Sequence, residues 1–349
     1  MHHLASPSVT RLVSVVVPAY GHPDRVRRLI EALAAQVPGE PPLTLLVSDD
    51  ASPEPLEPSL RPHVPEGIEL EVVRSGANAG PGAARNRALE LVRTPWVAFL
   101  DADELPGPGW LERLETIASS PEAPDGVEGR LDAGVAGRPT PFTHVAEVHG
   151  GDDQHVAGNV VFRTEVLRSV GGFDERFYDP RRKLHFREDV DLYLRLQRAG
   201  KRLEFDPELR AEHPPLPGSF WSPVRDARRY YFDPLLSREH GDRFRRLVRL
   251  RRAGPAPLRW ARHAAAWLFV CAVVVAVLGF VVGWTAVAVA GGVAAALGLA
   301  ANAVALAWNR RLTPGSALLL IPAAAIVPWV YLWHYYRGVV AFRHRPRLI

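Results

Sequence analysis

Cysteine is nearly absent. The 349-residue chain has one, Cys271, inside an apolar run, which excludes a disulfide framework and cysteine metal sites. Lysine is almost as scarce: only Lys183 and Lys201 contribute to the 42 Lys+Arg, an arginine bias that reflects base composition more than mechanism. Met1 to Arg11 lacks an apolar core, so no signal peptide is expected there. Charge is missing altogether from Ala264 to Trp308. At about 1.5 Å per residue this run is roughly twice a ~30 Å hydrocarbon core, which predicts two membrane helices, at 264–282 and 284–308. Their turn falls near Gly279 to Trp284.

What is present divides unevenly along the chain. The length suits about two domains, and the balance is basic, with 38 Asp+Glu and a sequence pI near 9.4. Acidic residues populate the first two thirds, and arginine dominates from Arg225 onward. Val224 to Arg252 interleaves arginine with Tyr230, Tyr231, Phe232, Phe244, Leu247 and Leu250. That pattern predicts helices at an interface with anionic lipid, and the apolar run that follows favours a membrane over nucleic acid. A third apolar segment, Ala317 to Tyr336, is interrupted by Pro322 and Pro328. A cytosolic N-terminal domain and a hairpin return Arg310 and Arg311 to the cytosol, as the positive-inside rule requires. A full third crossing places Arg337, Arg343, Arg345 and Arg347 outside, against that rule, so a re-entrant or interfacial third segment stays open beside a crossing one. The expected divisions are a tail at 1–11, a soluble domain at 12–222, a basic interfacial segment at 223–262 and a membrane domain at 263–349.

The soluble part reads as alternating strands and helices. Strands are expected at Ser14 to Val17, Leu43 to Val47, Ile68 to Val73 and Val97 to Leu100, with helices from Asp24, as cap, through Ala34 and from Ala83 to Val92. This is the start of a doubly wound α/β domain, whose strand ends form one ligand-binding edge. After Ser119 a stretch rich in Gly, Pro and Asp reads as loops with an edge strand, up to Gly151. Further on come a strand at Val156 to Phe162, a helix at Thr164 to Val170, a helix through His185 to Leu196 and a short strand at Leu203 to Phe205.

Chemistry-bearing residues cluster after strands. Asp101 and Asp103, at a strand end, suit either a turn or a hard divalent cation holding a diphosphate. Asp49-Asp50 suits either an Asx turn or recognition of a nucleobase imide or ribose hydroxyl. The loop Ser75 to Gly82 superficially matches a dinucleotide fingerprint, but Arg85 stands where close packing needs Gly or Ala, and its strand ends too early. The loop is better taken as a flexible approach to a helix whose Arg85 and Asn86 face a polar ligand. In Glu188-Asp189-Val-Asp191, Asp189 shares a stripe with Leu192, Tyr193 and Leu196 and points inward, a placement suited to a general base. Asp191 is expected in a solvated ion pair with Arg195. His213 precedes two prolines and is either structural or a further metal ligand.

Several segments recur in order: Val15-Val-Val-Pro-Ala-Tyr20, Val47-Ser-Asp-Asp-Ala-Ser52, Asn78-Ala-Gly80 with Ala84-Arg-Asn86, and Phe99-Leu-Asp-Ala-Asp103. Gly158-Asn159, Gly171-Gly-Phe-Asp-Glu175 and Arg187-Glu-Asp-Val-Asp-Leu192 follow. From Ser14 to about Pro214 the chain resembles glycosyltransferase family 2, outside the membrane segments. The resemblance implies an A-type glycosyltransferase fold, Rossmann-like with a mixed central sheet, here followed by transmembrane helices. It implies a nucleotide-diphospho-sugar donor bound by Asp50, Pro18, Tyr20, Asn78, Arg85 and Asp101. It implies Mn²⁺ or Mg²⁺ on Asp103, with Asp101 and His213 as further metal ligands, and a Glu188-Asp189 pair with Asp189 as catalytic base. The expected activity is inverting transfer to a lipid-linked or cell-envelope glycan, at the cytoplasmic face of a multi-pass inner-membrane protein that does not bind nucleic acid. The alternatives are a processive polysaccharide synthase, of whose Gln-x-x-Arg-Trp motif Arg228-Arg-Tyr-Tyr231 is a distant echo, and an inactive membrane-anchored sugar-nucleotide-binding protein.

Overall fold

The computed structural model describes residues 11–37, 39, 41–134, 138–143, 145–150, 158–215, 218–244, 259–308 and 310–344, with side chains omitted for 259–263. The chain forms two compact units, Met1–Gly134 with Ala146–Pro214, and Val135–Val145 with Pro215–Ile349. The division thus falls before the expected 222.

In the first unit, β1 (Val13–Ala19), β2 (Leu43–Asp49), β3 (Ile68–Arg74) and β4 (Trp96–Phe99) run parallel in the order β3-β2-β1-β4. The apolar runs of β1, β2 and β4 are what a sheet covered on both faces requires, whereas the edge strand β3 alternates, with Glu69 exposed. Val13, Val15 and Val17 face one core while Val16 faces the other. Helix α1 (Pro23–Ala34) buries Val26, Leu29, Ile30 and Leu33, and proline at its start suits the fixed φ of a first turn. Asp24 does not cap it as expected. His22 holds the cap position at φ 52, with no side-chain bond, while Asp24 pairs with Arg27 inside the first turn. The remaining early helices are α2 (Glu57–Leu60) and α3 (Pro81–Leu91).

Beyond β4 come β5 (Leu105–Pro106), α4 (Trp110–Ser119), β6 (Gly126–Asp132), β7 (Val160–Arg163) and α5 (Thr164–Ser169). They are followed by β8 (Tyr178–Asp179), β9 (Leu184–His185), α6 (Glu188–Arg198) and β10 (Leu203–Glu212). The full sheet order is β3-β2-β1-β4-β7-β6-β10-β5. Strand β7 is antiparallel to both its neighbours, β10 is parallel to β6, and β5 is antiparallel to β10, so the sheet is mixed. The segment expected to be loops with an edge strand contains an interior strand, β6. Its glycines conceal it: a Cβ on Gly126 would collide with Phe162 and Leu203, and one on Gly129 with Asn159 and the Leu209 carbonyl. Strand β10 outruns its expected end at Phe205, continuing past Pro207 by an irregularity between Asp206 and Arg210. Val156 and Ala157 of the expected strand start lie outside the described residues.

The second unit contains α7 (Ser222–Arg228), a 3-10 turn (Arg229–Phe232), α8 (Asp233–His240) and helices Arg259–Val282, Thr285–Ala307 and Pro314–Phe342. The last three are long and apolar enough to cross a membrane. The first two form a hairpin that turns at Gly283 (φ 79), with Trp284 N–H donating to the Gly279 carbonyl at 2.8 Å. Gly279, Gly291 and Gly298 let the two backbones approach, the device expected of packed membrane helices. The third helix is not broken at Pro322 and Pro328 but runs for 29 residues from a Thr313–Ser316 capping box. Tyr230 stacks edge-on against Tyr331 at 4.7 Å and Tyr231 lies 5.1 Å from Phe342, so these aromatics pack on the third helix. Leu247, Leu250 and the rest of 245–258 lie outside the described residues.

Candidate active site

The expected residues come together along the ends of β1, β2 and β4. Pro18, level with Ser48, is buried, while Tyr20 just beyond β1 is 42% exposed. Lys183 donates to the Tyr20 hydroxyl at 3.2 Å and sits 5.4 Å over its ring.

Asp49 and Asp50 divide their work. Asp49 is fully buried and accepts from Ser52 N–H (2.8 Å), Leu56 N–H (3.2 Å) and the Arg74 guanidinium. Burial pushes its pKa up, but the Ser52, Leu56 and Arg74 bonds outweigh that and hold it below the usual value. Asp50 accepts from Ala79 N–H (3.0 and 3.1 Å) and Gly80 N–H (2.7 Å), with Arg87 at 3.6 Å. The glycine loop is therefore pinned rather than flexible. Asn78 donates to the Asp50 carbonyl at 3.1 Å and accepts from the Tyr178 hydroxyl, and the Tyr178 ring covers Gly80 at φ 88.

At the end of β4 the carboxylates meet side chains instead. Asp101 accepts from Arg85 at 2.5 Å. One oxygen of Asp103 accepts from Arg25 at 2.9 Å, and the other lies 3.5 Å from His213 Nε2. Glu104 closes the turn: its carboxylate accepts from Asp101 N–H at 2.8 Å, while Oε1 is buried without a hydrogen-bond partner. Burial, with Asp101 beside it, pushes the Glu104 pKa well above the carboxylate range.

Helix α6 supplies the third group. Arg187 precedes it at φ 80, a conformation rare for a non-glycine residue, and swings the helix start into the site. Burial pushes Asp189 up to about 6, with the Glu188 charge adding to it, although Val190 N–H donates to it at 2.7 Å. Burial also acts to raise Glu188, but His185 at 3.3 Å and Arg85 at 4.0 Å prevail and hold it below the usual value. Arg85, buried on the Phe173 ring, thus links Asp101 to Glu188. Asp191 and Arg195 are buried, not solvated. The guanidinium bonds Asp191 at 2.8 Å and the carbonyls of Val170 and Gly172, clamping the glycine turn that precedes α6.

Asn86 does not face a ligand. Its amide exchanges two 2.8 Å hydrogen bonds with the Phe173 backbone. Asn159 is likewise structural, bonding Trp110 and the carbonyls of Arg130 and Leu209. Arg25, Glu104, Tyr178, Lys183 and His185 carried no sequence signal for the site. For Arg25 the only hint is its place one turn into the helix after β1.

Among the described residues no group of three or more His, Cys, Asp or Glu side chains gathers as a metal cage. The Asp103–His213 pair nevertheless offers a donor set that would suit a divalent ion, one carboxylate oxygen and one imidazole nitrogen 3.5 Å apart. Of the three expected ligands, Asp101 is turned away to Arg85.

The architecture is the A-type glycosyltransferase fold. It matches the mannosyltransferase PcManGT from Pyrobaculum calidifontis, solved in complex with GDP-Man and Mn²⁺, at TM-score 0.53 and 18% identity, covering 97% of this chain and 89% of that one. It also matches S. aureus TarS 1-349 in complex with UDP-GlcNAc, at TM-score 0.50 and 15% identity, covering 97% and 94%. In sequence, residues 14–126 match the model for glycosyl transferase family 2, and residues 142–300 match that for glycosyl transferase family group 2. The chain belongs to glycosyltransferase family 2. The second match reaches into the apolar hairpin, which the sequence resemblance does not. Among curated relatives, a pre-mycofactocin glycosyltransferase of Mycobacterium tuberculosis is 34% identical over 223 residues, 58% of this chain and 43% of that protein. Glycosyltransferase AglE of Haloferax volcanii is 26% identical over 219 residues, 60% and 69% of the two chains. The chain thus spans less than half the length of the first of these.

Proposed function

We propose that the chain moves a sugar from a nucleotide-diphospho-sugar to an acceptor hydroxyl by direct displacement, inverting the anomeric centre. The observation that carries this is Arg85, which touches Asp101 at 2.5 Å and approaches Glu188 to 4.0 Å, joining the two acidic motifs in one site. A hydroxyl is a poor nucleophile at neutral pH, and Asp189, with a pKa near 6, is ionised there yet basic enough to take its proton. Asp103 and His213 hold Mn²⁺ or Mg²⁺, which, when bound, offsets the charge developing on the nucleoside diphosphate. Tyr20 and Pro18 line the base pocket, Asp50 and Asn78 shape it, and Arg85 fixes Asp101 beside the diphosphate. Proximity supplies much of the rest.

The apolar hairpin anchors the protein in the inner membrane with the first unit in the cytoplasm, where Arg310 and Arg311 also fall. Anchoring favours a lipid-linked or cell-envelope glycan as acceptor. The relative named for pre-mycofactocin makes that compound the second acceptor to try. The test is a panel of nucleotide sugars with Mn²⁺ or Mg²⁺, scored for nucleoside diphosphate release, with Asp103→Ala as control. Turnover with an inverted product is expected. A product that keeps the donor's anomeric configuration overturns the displacement mechanism, long polymer from one donor favours a processive synthase, and absence of turnover with every metal leaves a binding protein.

A further inference from the structure

The three apolar helices do not pack alike. In the hairpin, a Cβ on Gly279 would meet the Ala288 backbone, one on Gly291 would meet Ala276, and one on Gly298 would meet Phe269. These pairings fix an antiparallel register in which Ala264 stands level with Ala303, and Trp267 with Ala300. The third helix meets the hairpin near that open end. Its Leu320 and Ala324 pack with Ala303, against Leu299, Leu306 and Ala307. Its Tyr336 hydroxyl accepts from Trp267 Nε1 at 3.2 Å. From Ala324 to Tyr336 a helix advances about 18 Å, yet both points meet the hairpin at nearly one level. The third helix therefore runs across the hairpin, not along it.

Its last turns are also covered by polar structure. The Tyr231 carbonyl lies against Gly338, and Arg238 donates to the Phe342 carbonyl. These partners belong to the segment preceding the hairpin. The large apolar side chains that the third helix leaves exposed centre on one stripe, Leu318, Ile321, Trp329, Trp333, Tyr336 and Val340 at helical spacing, with Leu319 and Val339 exposed at its flanks. Its opposite side, including Leu320, Ala323, Ala324, Pro328 and Gly338, is buried. Apolar character all round thus has two causes, protein on one side and an unpartnered aromatic stripe on the other. Tryptophan and tyrosine favour the membrane–water boundary.

We propose that the third helix lies in the plane of the membrane interface, its Trp329–Trp333–Tyr336 stripe set into lipid, so that the chain crosses twice. Both ends of the second unit then share one side. Arg225, Arg228, Arg229 and Arg238 stand on the same side as Arg310, Arg311, Arg337 and Arg343, and the opposite side receives only the uncharged turn at Gly283-Trp284. That distribution satisfies the positive-inside rule, which a third crossing violates. The proposal rests on the hairpin spanning the membrane, as proposed above.

The test uses the full chain in oriented vesicles, with Cys271→Ala as background and single Arg225→Cys, Trp284→Cys and Arg343→Cys variants treated with an impermeant maleimide. The expected result is labelling of Arg225→Cys and Arg343→Cys from one side and Trp284→Cys from the other. Labelling of Arg343→Cys from the side of Trp284→Cys overturns the in-plane helix and leaves the hairpin standing. Labelling of Trp284→Cys from the side of Arg225→Cys overturns the crossing hairpin, and the proposal with it. A depth measurement guards against misfolded variants: nitroxides at Ile321→Cys and Val340→Cys are expected at similar bilayer depth. A difference near the roughly 28 Å that separates them along the helix overturns the proposal.

Discussion

At the end of β2, Asp49 and Asp50 are met chiefly by the backbone N–H groups of Ser52, Leu56, Ala79 and Gly80, with Arg74 and Arg87 alongside, whereas at the end of β4, Asp101 and Asp103 are met by side chains alone, Arg85, Arg25 and His213. In sequence these are two acidic pairs after two parallel strands. Backbone donors are fixed by the chain and cannot withdraw without unfolding a turn, so the β2 carboxylates act as fasteners of the loops that shape a pocket. Side-chain donors can swing aside, and an imidazole exchanges a proton for a metal. Asp103 is therefore the acid placed to exchange partners, while Asp101 is held by the buried Arg85.

The sharpest way to break this contrast is to exchange the roles. Asp103→Ala is expected to lower nucleoside diphosphate release about 10³-fold, the loss typical of removing a charge-stabilising group, while the thermal midpoint stays put. A large drop in thermal midpoint would make Asp103 a fastener after all. Asp50→Asn places an amide against the Ala79 and Gly80 N–H groups and loosens the loop. Its expected signature is a donor KM raised about tenfold, roughly 1.4 kcal/mol, with kcat little changed. Asp49→Asn sits at the structural extreme. Losing the charge beside the half-exposed Arg74 is expected to cost about 1–2 kcal/mol of stability in chemical denaturation, with activity per folded molecule nearly kept. If Asp49→Asn abolished activity in folded protein, the division of labour between the two pairs would be wrong.

The same contrast explains what the sequence disclosed. Strands β1, β2 and β4 announce themselves because a sheet buried on both faces needs continuous apolar runs, β3 by its alternation at the edge, and the acids after β2 and β4 are visible as motifs. Which acid fastens and which is available is decided by partners distant in sequence: Asp49 by Arg74, Asp101 by Arg85, Asp103 by Arg25 and His213. Helical spacing correctly paired Asp191 with Arg195 but could not reveal that the glycine turn covers them both. Strand β6 was hidden by Gly126 and Gly129, which read as turn residues and exist because neighbouring side chains fill the space of a Cβ. The continuity of the third apolar helix was hidden by Pro322 and Pro328, since packing against neighbours lets a helix tolerate prolines that would end it in water.

Glu188 and Asp189 carry the contrast to adjacent residues of one helix, and the smallest predicted effect tests it. Glu188 has His185 and Arg85 as partners and stays ionised, and its charge, added to burial, raises Asp189 to about 6. A base must be deprotonated to act, so kcat/KM should be level above pH 7 and fall below about pH 6, approaching tenfold per pH unit. Glu188→Gln removes the neighbouring negative charge, which lowers the Asp189 pKa and moves the acidic limb toward lower pH. Burial is the larger cause and remains, so the shift should be modest, roughly half a unit to one unit. The experiment is a pH–rate profile of both forms with saturating Mn²⁺. A limb that stays in place after Glu188→Gln means that Glu188 does not set the Asp189 pKa. A limb that moves to higher pH overturns the electrostatic coupling itself, because losing a neighbouring negative charge lowers the pKa of a carboxylic acid and of a cationic acid alike.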